Sequence, residues 1–208
     1  MSRSKPPRVI SYALEQLVLD QDRDWVIDTL GPVLAWVPGA TSKERKQPFR
    51  FEVDHTHGGV AETVELNLSW DIARLETIHP GVNDLASRLR AGRSAQREHV
   101  PELAAYGLTF VAISTLMPGR RVVMMQMGVA PDILFDVTPA ALRGVETAGR
   151  SSGGRPALDK VRNGKPAGKG KAEPGKGQKL KGRSDLAEVH LSLWCRSPRI
   201  SIMEQLKP

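Results

Sequence analysis

The chain has 208 residues, 40% of them hydrophobic and only 5% aromatic, with a formal net charge of +7; this length and composition fit one α/β domain, or two small ones, built on aliphatic packing. The single cysteine, Cys195, excludes an intrachain disulfide and fits a reducing compartment. No apolar run of the signal-peptide kind follows the basic N-terminus MSRSKPPRV, and no stretch approaches the ~18 apolar residues of a membrane span, so a cytoplasmic setting without a membrane partner is expected.

Residues 8–20 (RVISYALEQLVLD) space Val9, Ile10, Ala13, Leu14, Leu17 and Val18 as a helix does. Residues 24–37 continue with Trp25, Ile27, Leu30, Val33, Leu34 and Trp36, and Gly31-Pro32 predicts a break into two short elements. Pro38 to Pro48 reads as a polar loop. FRFEVDH then reads as a strand, His57-Gly58-Gly59 as a turn, and the alternation of Val64, Leu66, Leu68, Trp70 and Ile72 with polar residues as a half-buried second strand. Together they predict an antiparallel hairpin. Residues 81–90 form a short amphipathic helix, and 91–99 a linker or helix start.

The second half is different. Residues 101–116 are nearly all apolar, with Pro101 at the first helical position and Pro118-Gly119 beyond the end, which predicts a buried helix. Three strand-like runs follow at 121–127, 132–137 and 142–148, and two more at 187–195 and 199–206. Between them lies 149–184, which holds eleven Lys/Arg and two Asp/Glu; the rest of the chain carries nineteen basic and twenty-one acidic side chains. The excess positive charge is therefore local. From Asn163 to Ser184 the only apolar side chains are Ala and one Leu, so an exposed, flexible segment is expected. It suits a polyanion, contacted without base reading through Lys165, Lys169, Lys171, Lys176, Lys179, Lys181 and Arg183, or an acidic protein surface; a solubilising loop is the plainer alternative.

Three acids occupy positions where burial is costly without a partner: Glu102 at the start of the apolar helix, Asp132 at the start of the second strand run and Glu146 within the third. Adjacent antiparallel strands would bring Asp132 and Glu146 together, and oxygen ligands of this kind suit Mg²⁺. Plainer readings exist for each. Asp132 can cap a turn after Pro131, Glu146 can lie on a strand edge or pair with Arg143 or Arg121, and Glu102 suits the first turn of any helix. Asp54-His55-Thr56-His57 reads as a hairpin end rather than zinc ligands, and the glycines at 149, 153 and 154 lack the Gly-Lys-Ser/Thr pattern of a P-loop.

Over about residues 98–206 the sequence resembles the restriction-endonuclease-like, or PD-(D/E)XK, superfamily. Pro131-Asp132 matches its first motif element, Glu146 the second, and the Glu102 helix the acidic first helix often found there. The resemblance implies an α/β (α+β) fold with a central mixed sheet. Its nuclease-like core is a helix, a three-stranded meander, a further helix and a last strand, here at 98–208 and interrupted by 149–184. An α+β region, 1–97, with its hairpin precedes that core. It also implies Mg²⁺ held by Asp132 and Glu146, assisted by Glu102. The sequence departs from the pattern at Ala148, where the family has a lysine that polarises the attacking water or stabilises charge on phosphate; Lys160 or Arg150 would have to replace it. The expected function is nuclease-like binding or Mg-dependent hydrolysis of nucleic acid at a degenerate site. The alternatives are a non-enzymatic scaffold or an antitoxin- or immunity-like binding module, using the hairpin or the basic segment.

Overall fold

The structure, a computed structural model, describes residues 6–39, 41–93, 99–165 and 173–208. Its first element corrects the helix expected from residue 8. Arg8–Ala13 is a strand, β1, followed by a 3-10 turn over Leu14–Gln16 and a short helix α1, Leu17–Asp20. Val9, Ile10 and Tyr12 favour extended backbone, and β1 has a partner far along the chain, which local spacing does not reveal. The second correction is α2, Arg23–Trp36, which runs unbroken through Pro32. A proline inside a helix costs ~3 kcal/mol or more. Here Val26, Leu30, Val33 and Leu34 are all buried, and each such side chain returns ~1.5–3 kcal/mol.

The hairpin forms as expected from β2, Phe49–His57, and β3, Val60–Ser69, with Phe49 opposite Leu68 and His57 opposite Val60. Ile72, read as the end of the second strand, instead opens α3, Ile72–Ile78, because the Asp71 carboxylate accepts from the Ala73 and Arg74 amides and caps a helix. Helix α4, Val82–Arg90, and the buried α5, Val100–Leu116, lie where their patterns placed them. Strands β4 (Val122–Met125), β5 (Ile133–Phe135) and β6 (Leu142–Arg150) make an antiparallel meander. After it come α6 (Gly154–Asn163), a two-stranded ribbon of β7 (Gly164–Lys165) and β8 (Glu173–Pro174), and α7 (Lys176–Lys181). Strands β9 (Leu186–Cys195) and β10 (Ile200–Lys207) complete the chain.

Among the described residues one eight-stranded mixed sheet runs in the order β1-β3-β2-β10-β9-β6-β5-β4. Strand β9 lies parallel to β6, and β10 lies parallel to β2, so the sheet continues without a break from the first half of the chain into the second. Helices α2, α4 and α5 cover one face, with Phe49, Phe51, Val145 and Trp194 in the same cluster. On the other face α6 and α7 insert Leu158 and Leu180 against Leu191, Leu193 and Ile202.

Described parts of 149–184, expected as a flexible segment, contribute to that second layer. Gly149 and Arg150 extend β6, and Leu180, the one leucine of 163–184, is 1% exposed. A few docked side chains anchor the segment because glycines let its backbone close up. A Cβ at Gly175 would collide with the Arg162 carbonyl and the Gly164 amide nitrogen. Lys169, Lys171 and the Lys165 side chain lie outside the described residues. No described helix is long and apolar enough to cross a membrane.

Candidate active site

Asp132 and Glu146 meet where α5 and α7 approach the sheet from opposite sides. Asp132 directly precedes β5 and is 4% exposed. Its Oδ1 accepts from the Tyr106 hydroxyl of α5 at 3.0 Å, and its Oδ2 accepts from the Thr147 amide of β6 at 2.7 Å. Both carboxylate oxygens are thus fixed by groups on separate elements. Glu146 lies on the face of β6 that α7 covers, and its neighbour Thr147 faces α5, as strand alternation requires. Close approach of α5 depends on Gly149, where a Cβ would strike the Pro101 carbonyl.

The cation at this meeting point comes from α7. Lys176 Nζ lies 2.6 Å from Glu146 Oε1 and 3.4 Å from Asp132 Oδ2, and donates to the Thr147 carbonyl at 2.8 Å. Those first two distances laid end to end put the two acid oxygens at most about 6 Å apart. Glu146 Oε2 is buried without a hydrogen-bond partner. Burial pushes the Glu146 carboxyl above the ordinary range; Lys176 opposes this shift and Asp132 adds to it. For Lys176, burial alone would lower the ammonium, but the Glu146 and Asp132 charges outweigh it and hold its pKa above the usual lysine value. Burial and the Asp132 charge push the Tyr106 phenol up, so it remains a neutral donor.

The chain matches no protein family, no curated protein and no solved structure.

The remaining expected residues lie around this centre. Glu102 faces a cavity of about 370 Å³, lined also by Gly149, Arg150, Ser151 and Lys176, with His99 Nδ1 3.5 Å from its carboxylate. Lys160 lines a neighbouring cavity of about 390 Å³, together with Lys176 and Lys179. The ammonium that reaches the acid pair thus belongs to Lys176, which the sequence reading had placed among the phosphate contacts, and not to Lys160. Arg183 is engaged by Asp185, at 2.6 and 2.7 Å, and by the Ala130 carbonyl, while Lys181 is exposed.

Sequence reasoning missed Tyr106 and the role of Lys176. Tyr106 had a signal, being a hydroxyl in an apolar helix four residues after Glu102. For Lys176 only the Pro174-Gly175 pair before it marked one lysine among many. Among the described residues no three His, Cys, Asp or Glu side chains gather as metal ligands. The hairpin-end histidines stack in a row, His55 on His57 and His57 on His190, with ring centroids 6.2 and 6.1 Å apart.

Proposed function

We propose that the chain is a nuclease-like protein of the restriction-endonuclease-like superfamily. It acts on nucleic acid in the cytoplasm, and Lys176 supplies the ammonium that the family motif carries at the position of Ala148. The observation that carries this reading is the convergence of Asp132 Oδ2, Glu146 Oε1 and the Thr147 carbonyl on one cationic nitrogen. The helix, meander, helix and parallel strand formed by α5, β4–β6, α6 and β9 support it, since that is the order of the family core.

The donor set fits Mg²⁺. Two carboxylates and a backbone carbonyl are hard oxygen ligands, and the unpartnered Glu146 Oε2 leaves a buried lone pair for an ion to use. Asp132, Glu146 and the Thr147 carbonyl would hold it. A bound Mg²⁺ polarises a phosphoryl oxygen and acidifies a bound water. Tyr106 and the Thr147 amide keep the Asp132 carboxylate in place, so its orientation is set before any ligand arrives. Lys176 offers a charge beside the acid pair, where it can stabilise negative charge developing on phosphate.

In cleavage assays with plasmid DNA, single-stranded DNA and RNA in Mg²⁺ or Mn²⁺, Asp132→Asn and Glu146→Gln should abolish both cleavage and calorimetric metal binding. Lys176→Met should slow cleavage on the order of 100- to 1000-fold while metal still binds. A specific observation favours a second reading: Lys176 already neutralises two acids that are each no more than 6% exposed, so the trio can also serve as a staple between α7 and the sheet of a non-enzymatic scaffold. Absence of cleavage on every substrate, with metal binding indifferent to Asp132→Asn and Glu146→Gln, would establish that alternative.

A further inference from the structure

Beside the acid pair, α6, the β7–β8 ribbon and α7 line the open cavity of about 390 Å³. Among the described residues four cationic side chains line it, Arg150, Lys160, Lys176 and Lys179, against one acid, Glu173. Lys160 and Lys179 are exposed and line the cavity from α6 and α7 respectively. Gly164 and Gly175, which have no side chain, also line it, so backbone comes close to any occupant. Among the described residues no aromatic side chain lines this cavity.

The second cavity, about 370 Å³, shares Arg150 and Lys176 with the first and has Glu102 and the Thr147–Ser151 backbone along its side. The two therefore adjoin at Arg150 and Lys176, and Lys176 is the side chain that contacts the acid pair. A volume near 400 Å³ lies at the small end of ligand sites and suits one nucleotide unit. Lysines without aromatic partners offer charge but no stacking surface, so the fitting ligand is a phosphate and not a base.

We infer that the α6–α7 cavity is a phosphate-binding subsite. It takes a backbone phosphate of a nucleic-acid strand, next to the one presented at Asp132 and Glu146, through Arg150, Lys160 and Lys179. This inference rests on the nuclease-like reading only for what the strand does once bound; the subsite itself needs no metal. It narrows the contact set from the whole basic segment to a folded pocket, and it predicts binding with little base preference.

The test uses the full chain in EDTA and the fluorescence anisotropy of a labelled 12-nucleotide single strand. Lys160→Gln/Lys179→Gln should weaken binding at least tenfold, and should reduce the slope of log affinity against log salt by about 1.4, the value for two lost phosphate contacts at ~0.7 each. Both residues are surface lysines, and circular dichroism checks that the fold persists. Unlabelled oligonucleotide should displace the probe, whereas inorganic phosphate, a mononucleotide or a polyglutamate peptide at equal charge should not. Unchanged affinity in the double variant overturns the subsite. Displacement by inorganic phosphate or mononucleotide would make it a free-phosphate or nucleotide site, and equal displacement by polyglutamate would make it an acidic-protein surface; either result overturns the inference. The outcomes separate from those for catalysis. Pocket-dependent binding without cleavage sinks the nuclease and keeps the subsite, while metal-dependent cleavage with affinity indifferent to Lys160 and Lys179 does the reverse.

Discussion

His190 is 2% exposed on β9, with Glu188 2.8 Å from its Nε2, and Glu188 also meets Arg120 and Arg143. Burial lowers the His190 pKa below its ordinary 6.5 despite Glu188, with stacked His57 and Arg120 adding to the effect. The hydrogen bond from His190 lowers Glu188 below its ordinary 4.5 against the effect of burial, with His190, Arg120 and Arg143 charge adding to it. Both shifts act in one direction. As pH falls through 6.5 the unfolded chain takes up a proton that folded His190 refuses, and below 4.5 the same holds for Glu188, so stability drains away in acid. Glu146 has the opposite sign: with its pKa raised, its contribution is full below its ordinary 4.5 and declines as pH rises through the raised value. Urea midpoints measured from pH 7 to 5 should therefore fall for the native chain, and His190→Gln should flatten that slope by up to about 1.4 kcal/mol per pH unit. An unchanged slope would mean that His190 titrates normally in the fold.

At the scale of elements, the sequence declared what depends on near neighbours and hid what depends on distant ones. The hairpin, α4, α5 and the strand runs were legible because period and turn residues are local. Strand β1 was not, since only its pairing with β3, Ile10 opposite Leu66, makes it a strand. The α7 helix was hidden for a similar reason: six residues with one leucine have no periodicity, and their order comes from Leu180 docking beneath β9 and from Gly175. For the same reason Asp132 and Glu146 could be named from their motif while Lys176 could not. Gly175→Ala should push the start of α7 off the Arg162 carbonyl, costing ~1–3 kcal/mol in urea denaturation, as overpacked sites do. A midpoint equal to that of the native chain would mean that α7 is not seated against α6.

At the scale of the whole molecule, part of the charge division read from composition persists in space: Arg150, Lys160, Lys176 and Lys179, four of the basic residues of 149–184, line one cavity at the α6–α7 layer. A division near residue 97 has no counterpart in the sheet, because β10 lies between β2 from the first half and β9 from the second. Alternation along a strand says which face is buried and nothing about its neighbours, so this joint was invisible in the sequence. Removing 200–208 should therefore abolish the cooperative thermal transition seen by circular dichroism, whereas removing 1–13, with the edge strand β1, should lower its midpoint and keep it cooperative.

The acids of the candidate site are built into the sheet, and their cation is carried by an appended helix. A strand that held glutamate and lysine two residues apart could never separate them without unfolding. Here the acids and their cation lie on separate elements, held together by the Leu180 contact beneath β9 and by the Lys176 bridges. If α7 leaves β9, Glu146 loses the Lys176 charge that opposes the upward shift of its carboxyl. The charge balance of the pair thus hangs on a six-residue helix and not on the strands that carry the acids.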